Sequence, residues 1–221
     1  MASADSLSMG NSKGLGELWA RLRFLLLAII VYRLGTHIPV PGFDPERLSD
    51  LFTQNQGTFL GLFNMFSGGA LERMSILALG VMPYISASII MQLLSATVPS
   101  LEQLKKEGDN GRRQINQYTR YLTVALALFQ GTGLAVSFAS QGLAFEVSSM
   151  FYLVAIASLV SGAVFLMWLG EQITERGIGN GISIIIFAGI VAGLPRAIGS
   201  TLELARTGAF SIPLVVFLFI M

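Results

Sequence analysis

The sequence predicts an all-α integral membrane protein, a polytopic helical bundle, and two observations support this fold class. Hydrophobic residues make up 53% of the 221 residues, whereas charged residues account for only 12%. Soluble domains of ordinary composition carry about 25% charged residues. In addition, long apolar runs recur along the chain, separated by short polar loops. Both features indicate a chain that crosses a membrane several times.

Most of the residue types that build catalytic and metal sites are absent or rare. The chain has no cysteine, which excludes disulfides, thiolate nucleophiles and cysteine-ligated metals. The single histidine, His37, leaves little for a His-based triad or metal site, and we interpret it as an interfacial residue. The net charge of +1 gives no clustered basic face for nucleic acid. We therefore expect no enzymatic activity, no cofactor and no metal.

The apolar runs predict five full membrane spans and one partial span. A span needs roughly 17 to 25 residues to cross about 30 Å of hydrocarbon. The expected spans are residues 24–40, 74–98, 122–138, 150–169 and 178–194, with a sixth starting near Ser211. Basic residues precede the first run, as in a signal peptide. No A-x-A cleavage pattern follows it, so we expect this helix to stay uncleaved.

The last run, residues 212–221, stops after about half a span. A chain end in mid-bilayer would leave backbone carbonyls without partners, so we expect the sequence to be a fragment of a longer protein. The predicted organisation is an N-terminal segment at 1–23, a five-helix unit at 24–209, and the start of a truncated sixth helix at 210–221.

The basic residues predict that the N-terminus lies in the cytoplasm. Under the positive-inside rule, cytoplasmic loops carry the excess of lysine and arginine. Nine basic residues fall on the N-terminal side of the predicted membrane: Lys13, Arg21, Arg23, Lys105, Lys106, Arg112, Arg113, Arg120 and Arg176. Only four fall in the alternate loops: Arg47, Arg73, Arg196 and Arg206. Arg33, near the outer end of span one, is counted on neither side.

The apolar segment 59–66 is too short to span a membrane, and Ser67-Gly68-Gly69 interrupts it. Ser67 is a candidate N-cap for a short helix starting at Ala70 and leading into span two. A re-entrant or pocket-filling element and an amphipathic segment on the outer membrane surface are both consistent with this pattern.

Span two contains residues that are unusual at membrane depth. Pro83 denies the carbonyl of Leu79 its i−4 hydrogen bond, so a kink is expected. Val81 and Ile85, four residues apart, share one helix face. Polar residues at membrane depth usually face protein or water, and ordinary helix packing is the alternative explanation for those of this span.

Span five opens with a GxGxG pattern at residues 177–181. The glycines allow a tight turn and a close backbone approach. The spacing differs from GxGxxG and no strand precedes it, so a dinucleotide site is not supported. Ile182 and Ile186 then repeat the i, i+4 spacing of span two. A glycine-rich helix start followed by a lipid-facing apolar run remains the alternative.

Several long motifs closely resemble the bacterial SecY family of membrane channel proteins. They lie at residues 63–71, 78–90, 105–108, 111–113, 117–121 and 168–181. The likeness runs from about Gly14 to the end of the chain. It implies that the chain is the first half of a pseudo-symmetric channel, in which two halves of five helices enclose an hourglass pore.

The resemblance also implies a role for particular residues. The family's apolar pore ring falls on Val81, Ile85, Ile182 and Ile186. Its plug, the short helix that closes the pore from outside, falls on Phe63, Asn64, Met65, Phe66, Ser67, Gly68, Gly69, Ala70, Leu71, Glu72 and Arg73. The lateral gate, through which the pore opens towards lipid, would include Ser86, Ile90 and Gln92.

The family's function then becomes the expectation for this chain. A SecY channel passes unfolded preproteins across the bacterial inner membrane and releases transmembrane segments and signal peptides sideways into lipid. The expected partners are SecE, SecG, the motor SecA or the ribosome, and the second half of the channel. The alternative is half of a secondary transporter. Such a protein normally has an ionisable residue in mid-span, and these spans lack one apart from the peripheral Arg33.

Overall fold

The computed structural model describes residues 5–55 and 58–206, and this part of the chain forms nine helices without a β-sheet. The predicted sixth span, from Ser211 onwards, lies outside the described residues. The helices are α1 (Asp5–Gly35), α2 (Pro45–Gln54), α3 (Phe59–Phe66), α4 (Met82–Thr97), α5 (Pro99–Lys106), α6 (Asp109–Ser140), α7 (Ser149–Arg176), α8 (Gly181–Val191) and α9 (Leu194–Arg206).

The all-helical, polytopic fold class is confirmed, but fewer spans qualify by length and composition than the sequence predicts. Within the described residues, α6 and α7 are long and apolar enough to cross a membrane. The pair α4 and α5, bent by 97°, would bring the number to three. Helix α1 includes Arg21, Arg23 and Arg33, which lower its hydropathy. Helix α8 has 11 residues, a rise of only about 16 Å.

The expectation of one continuous helix over residues 74–98 is wrong. Helix α4 begins only at Met82, after a chain of turns over residues 67–81. The predicted kink at Pro83 is wrong for the same reason. Pro83 lies in the first turn of α4, where the backbone N–H has no helical partner to lose, so proline starts this helix instead of bending it.

The turn segment, residues 67–81, is buried irregular backbone. Gly68, Gly69 and Gly80 have positive φ, which these turns require. Backbone polar groups at membrane depth need partners inside the protein. Here the Val40 N–H donates to the carbonyl of Met74 at 2.8 Å, and the Ile76 N–H donates to the carbonyl of Ile38 at 2.9 Å. Residues 70–74 form turns, so the predicted helix starting at Ala70 is absent.

Ser67 has a different role from the predicted N-cap of a helix. It is the C-cap residue of α3, and its hydroxyl donates to the carbonyl of Asn64 at 2.9 Å. The same hydroxyl accepts from the Leu71 N–H at 3.3 Å. Ser67 therefore closes the turn that follows α3.

The fifth predicted span is shorter than expected, because the chain turns at residues 192–193 before α9. The Asn180 side chain caps α8 by accepting from the backbone N–H groups of Ile182 and Ser183 at 3.0 and 3.2 Å. The Gly181 N–H donates to the Thr174 hydroxyl at 2.8 Å, which ties the first turn of α8 to α7.

Two hydrophobic clusters hold the bundle together. One joins α2, α6 and α7 with the turn segment, and it includes the fully buried Leu48, Met74 and Leu159. The other joins α1, α7 and α8, and it includes the fully buried Leu166 and Ile173. The second cluster contains the residues that build the candidate site.

Candidate functional site

Four aliphatic side chains come together where the start of α4 faces α8. Val81, the N-cap residue of α4, is buried, and Ile85 follows one turn later. Ile182 and Ile186 lie one turn apart on α8. Val81 belongs to the second hydrophobic cluster, and the three isoleucines are partly buried and pack against that cluster. Both pairs that the sequence predicts by helical spacing therefore lie at the same cluster.

Two cavities meet at these side chains. The larger, of about 620 Å³, is lined by Ile85, Ile182 and Ile186 together with polar residues of α4, α6 and α7. The smaller, of about 230 Å³, is lined by Val81, Ile85 and Ile186 together with residues of α3. Because Ile85 and Ile186 line both cavities, these two side chains lie in the zone between the two spaces.

The larger cavity has a polar wall that the sequence analysis did not identify. Arg120 on α6 forms a bidentate ion pair with Glu171 on α7, at 2.9 and 2.7 Å. Tyr84, Asn116 and Asn180 line the same space. Two charges on separate helices show no local spacing that would predict their pairing. The only signal for Arg120 and Glu171 in the sequence is that both fall inside motifs that resemble the SecY family.

The segment predicted to be the plug lines one side of the smaller cavity. Phe63, Phe66 and Ser67 line it. Of the predicted plug residues, those up to Phe66 are helical and the rest form turns. Ala70 and Leu71 are buried, whereas Met65, Phe66 and Arg73 are exposed.

A cross-link of hydrogen bonds stabilises the shape of this segment. The Asn64 amide donates to the Glu72 carboxylate at 3.1 Å, and its oxygen accepts from the Glu72 backbone N–H at 3.0 Å. Together with the Ser67 bonds to Asn64 and Leu71, these contacts join the end of α3 to the start of the turn segment.

Contacts with α1 and α8 hold the segment against the bundle. The Tyr32 hydroxyl donates to the carbonyl of Ser67 at 3.2 Å. The Arg33 guanidinium donates to the carbonyl of Gly68 at 3.0 Å. On the other side, a Cβ on Gly68 would lie 3.0 Å from the Cα of Gly189 on α8. Arg33 counts for neither side under the positive-inside rule, and no local sequence pattern predicts these contacts, which join residues far apart in the chain.

The three predicted gate residues do not share one environment. Gln92 lines the larger cavity and donates to the Ser88 hydroxyl at 3.4 Å. Ser86 and Ile90, one turn apart on α4, are not among the residues that line either cavity. Ile90 is exposed beside Leu93 and Leu94 on an apolar face of α4.

The described residues contain no group of three or more His, Cys, Asp or Glu side chains that could hold a metal ion. The site consists of four aliphatic side chains between two cavities; the larger cavity is a polar vestibule, and residues of α3 line the smaller one.

Comparison with known proteins identifies related sequences. A family profile described as SecY matches residues 75–221. The protein translocase subunit SecY of Pseudomonas aeruginosa is 68% identical over 212 residues, which cover 96% of this chain and 48% of that protein. The chain thus spans about half the length of the curated relatives it matches.

Solved structures share the fold at low sequence identity. One, described as the structure of a protein conducting channel, has a TM-score of 0.58 at 17% identity and covers 85% of this chain and 38% of that chain. Another concerns the plug domain of the SecY protein, described as stabilising the closed state of the translocation channel and maintaining a membrane seal. Its TM-score is 0.56 at 18% identity, covering 85% of this chain and 37% of that chain.

Proposed function

The chain belongs to the SecY family, and we propose that it forms the N-terminal half of the central pore subunit of a protein translocase. In this proposal, unfolded secretory proteins cross the bacterial inner membrane through the pore, and transmembrane segments leave it sideways into lipid. The observation that carries the proposal is the position of Val81, Ile85, Ile182 and Ile186 between two cavities. The protein conducts a substrate and performs no bond chemistry.

An apolar constriction suits this task for a physical reason. Aliphatic side chains contact any passing residue without offering a specific hydrogen bond, so chains of varied sequence can pass. When the pore is empty, the apolar walls favour dewetting, and a dry constriction resists the passage of ions. We assign the pore ring to these four residues, with the second half of the channel supplying the remainder.

The plug is the second part of the proposal. We assign it to residues 63–73, whose aromatic side chains Phe63 and Phe66 line the smaller cavity beside the ring. Hydrogen bonds from Tyr32 and Arg33 hold it, and Gly68 lies close to Gly189 on α8. These contacts can break and re-form as the pore opens.

We propose that the lateral gate includes Ser86, Ile90 and Gln92 on α4. Gln92 faces the polar vestibule, whereas Ile90 faces outwards on an apolar surface. A helix edge that is polar on one side and apolar on the other lets a hydrophobic segment move into lipid, while polar segments stay in the vestibule.

The orientation and partners follow from the basic residues and from the family. We propose a cytoplasmic N-terminus, so that the vestibule with Arg120 and Glu171 opens to the cytoplasm and the plug lies outside. SecE and SecG would complete the complex, and SecA or the ribosome would supply substrate and energy. The alternative, half of a secondary transporter, would need an ionisable coupling site at the midplane. The residues that we assign to the ring are all aliphatic.

Reconstitution tests this function. The full-length protein that contains this half, purified with SecE and SecG, is placed in vesicles with SecA, ATP and an unfolded precursor. We expect ATP-dependent protection of the precursor from external protease, and none in vesicles that contain residues 1–221 alone. Ion-gradient-driven uptake of a small solute without precursor transport would instead establish the transporter.

A further inference from the structure

Gly170 on α7 lies against the first turn of α8, beneath the ring residue Ile182. A Cβ built on Gly170 would overlap the Ile182 Cδ1 atom and would lie 3.2 Å from Ile182 Cγ1. Carbon atoms in favourable contact are about 3.5 to 4.0 Å apart. Because glycine has no side chain at position 170, the tip of the Ile182 side chain can occupy this space.

The backbone of this turn is fixed, so the side chain has to respond to any added volume. The Thr174 hydroxyl accepts from the Gly181 N–H at 2.8 Å and donates to the carbonyl of Gly170 at 2.9 Å. The Asn180 cap holds the Ile182 N–H at 3.0 Å. Since α8 cannot move away from α7 without breaking the bond between Gly181 and Thr174, a methyl group on residue 170 would displace the tip of Ile182.

We propose that Gly170 is a positioning residue for the pore ring, because it sets where the Ile182 side chain lies. Gly170 and Ile182 both line the larger cavity, which is the open space on this side of α7. A tip displaced from α7 would move towards that cavity and change the fit of the constriction. The proposal rests on the proposed pore function, since the ring is what Gly170 would adjust.

Glycines 170 and 181 make different contacts, and this difference supplies a control. A Cβ on Gly170 meets mainly the end of a flexible side chain, which can change rotamer. A Cβ on Gly181 would overlap the backbone carbonyl of Gly170, which cannot rotate away. Shortening Ile182 to valine removes Cδ1, so this change relieves the first contact and leaves the second.

The experiment measures resting ion leak per channel in vesicles that contain the full-length protein with SecE. Gly170→Ala should raise the leak several-fold over the parent, whereas adding Gly170→Ala to an Ile182→Val channel should change the leak of that channel little. Ile90→Val, the same truncation on an exposed face of α4, should not compensate for Gly170→Ala. Gly181→Ala should not be rescued by Ile182→Val.

The outcomes separate this inference from the function on which it rests. If Ile182→Asp raises the leak but Gly170→Ala does not, the ring assignment stands and the positioning role is overturned. If neither variant changes the leak, the ring assignment itself fails, and the positioning role fails with it. Should Gly170→Ala not accumulate in membranes, channel amount replaces leak as the readout. Recovery with Ile182→Val and not with Ile90→Val then supports the contact, and no recovery overturns it.

Discussion

The Arg33 guanidinium on α1 donates a hydrogen bond to the carbonyl oxygen of Gly68 at 3.0 Å. This bond joins the first helix of the chain to the turn that follows α3, and the adjacent Tyr32 makes a parallel bond to Ser67 at 3.2 Å. Because hydrogen bonds to a charged group contribute about 1.5 to 3 kcal/mol, the Arg33 bond is the stronger of the two. Together they hold the proposed plug against α1, in the position that we propose is its closed position.

Arg33→Met should weaken that closed position. Methionine preserves an extended side chain but removes every donor, so the Gly68 carbonyl loses its charged partner. A loss of about 1.4 kcal/mol corresponds to a tenfold change in the ratio of closed to open plug. We expect a higher resting ion conductance of the full-length channel in planar bilayers. Arg47→Met is the matched control, because Arg47 also donates to a carbonyl, that of Gly142 at 2.8 Å, away from the plug.

Gly189→Ala should displace the same segment from the α8 side. A Cβ on Gly189 would lie 3.0 Å from both the Phe66 carbonyl oxygen and the Tyr32 hydroxyl. Carbonyl oxygen is part of the backbone, so the segment itself has to shift by a few tenths of an ångström. We expect faster cross-linking between a cysteine placed in the plug and one placed outside the pore. Gly133→Ala, at a position with open space, should leave that rate unchanged.

The sequence predicted the fold class correctly but not the course of the chain between α3 and α4. Residues 74–81 are apolar, and an apolar run beside a longer one suggests one continuous span. In the structure this run includes the fully buried Met74 and Leu77, which pack between helices as turns. Hydropathy reports burial in an apolar environment and does not distinguish lipid from protein interior.

The spacing of the ring candidates was predictable, whereas their surroundings were not. The pairs Val81 and Ile85, and Ile182 and Ile186, follow from helical periodicity, which is a local property. Contacts such as Arg120 with Glu171 join positions 51 residues apart and depend on how α6 packs on α7. No local pattern predicts such pairs, so the polar wall of the larger cavity became visible only in three dimensions.

Exchanging the charges of Arg120 and Glu171 should restore the thermal stability that either single change removes. The side chains are 51% and 21% exposed, so solvent screening limits the pair to about 1 kcal/mol or less. We expect Glu171→Gln to lower the Tm of the full-length complex by a few degrees or less. Arg120→Glu should lower it further, because two carboxylates then face each other. The double variant Arg120→Glu/Glu171→Arg should recover most of the loss at low salt, and no recovery would contradict a direct charge pairing.

A single carboxylate in the constriction should open it to ions. Ile85 and Ile186 line both cavities, so a charge on either of them touches the water-accessible space on both sides. Because a carboxylate near mid-membrane draws in water, Ile85→Asp and Ile186→Asp should hydrate the zone between the cavities and raise the resting conductance of the full-length channel many-fold. Ile85→Leu is the matched control, since it keeps an apolar side chain of the same atomic composition and should change little. Leu93→Asp controls for charge alone, because Leu93 is exposed on α4 and lines neither cavity. Equal conductance in the Ile85→Asp and Leu93→Asp channels would show that the zone between the cavities does not limit ion flow, and the pore assignment would then be wrong.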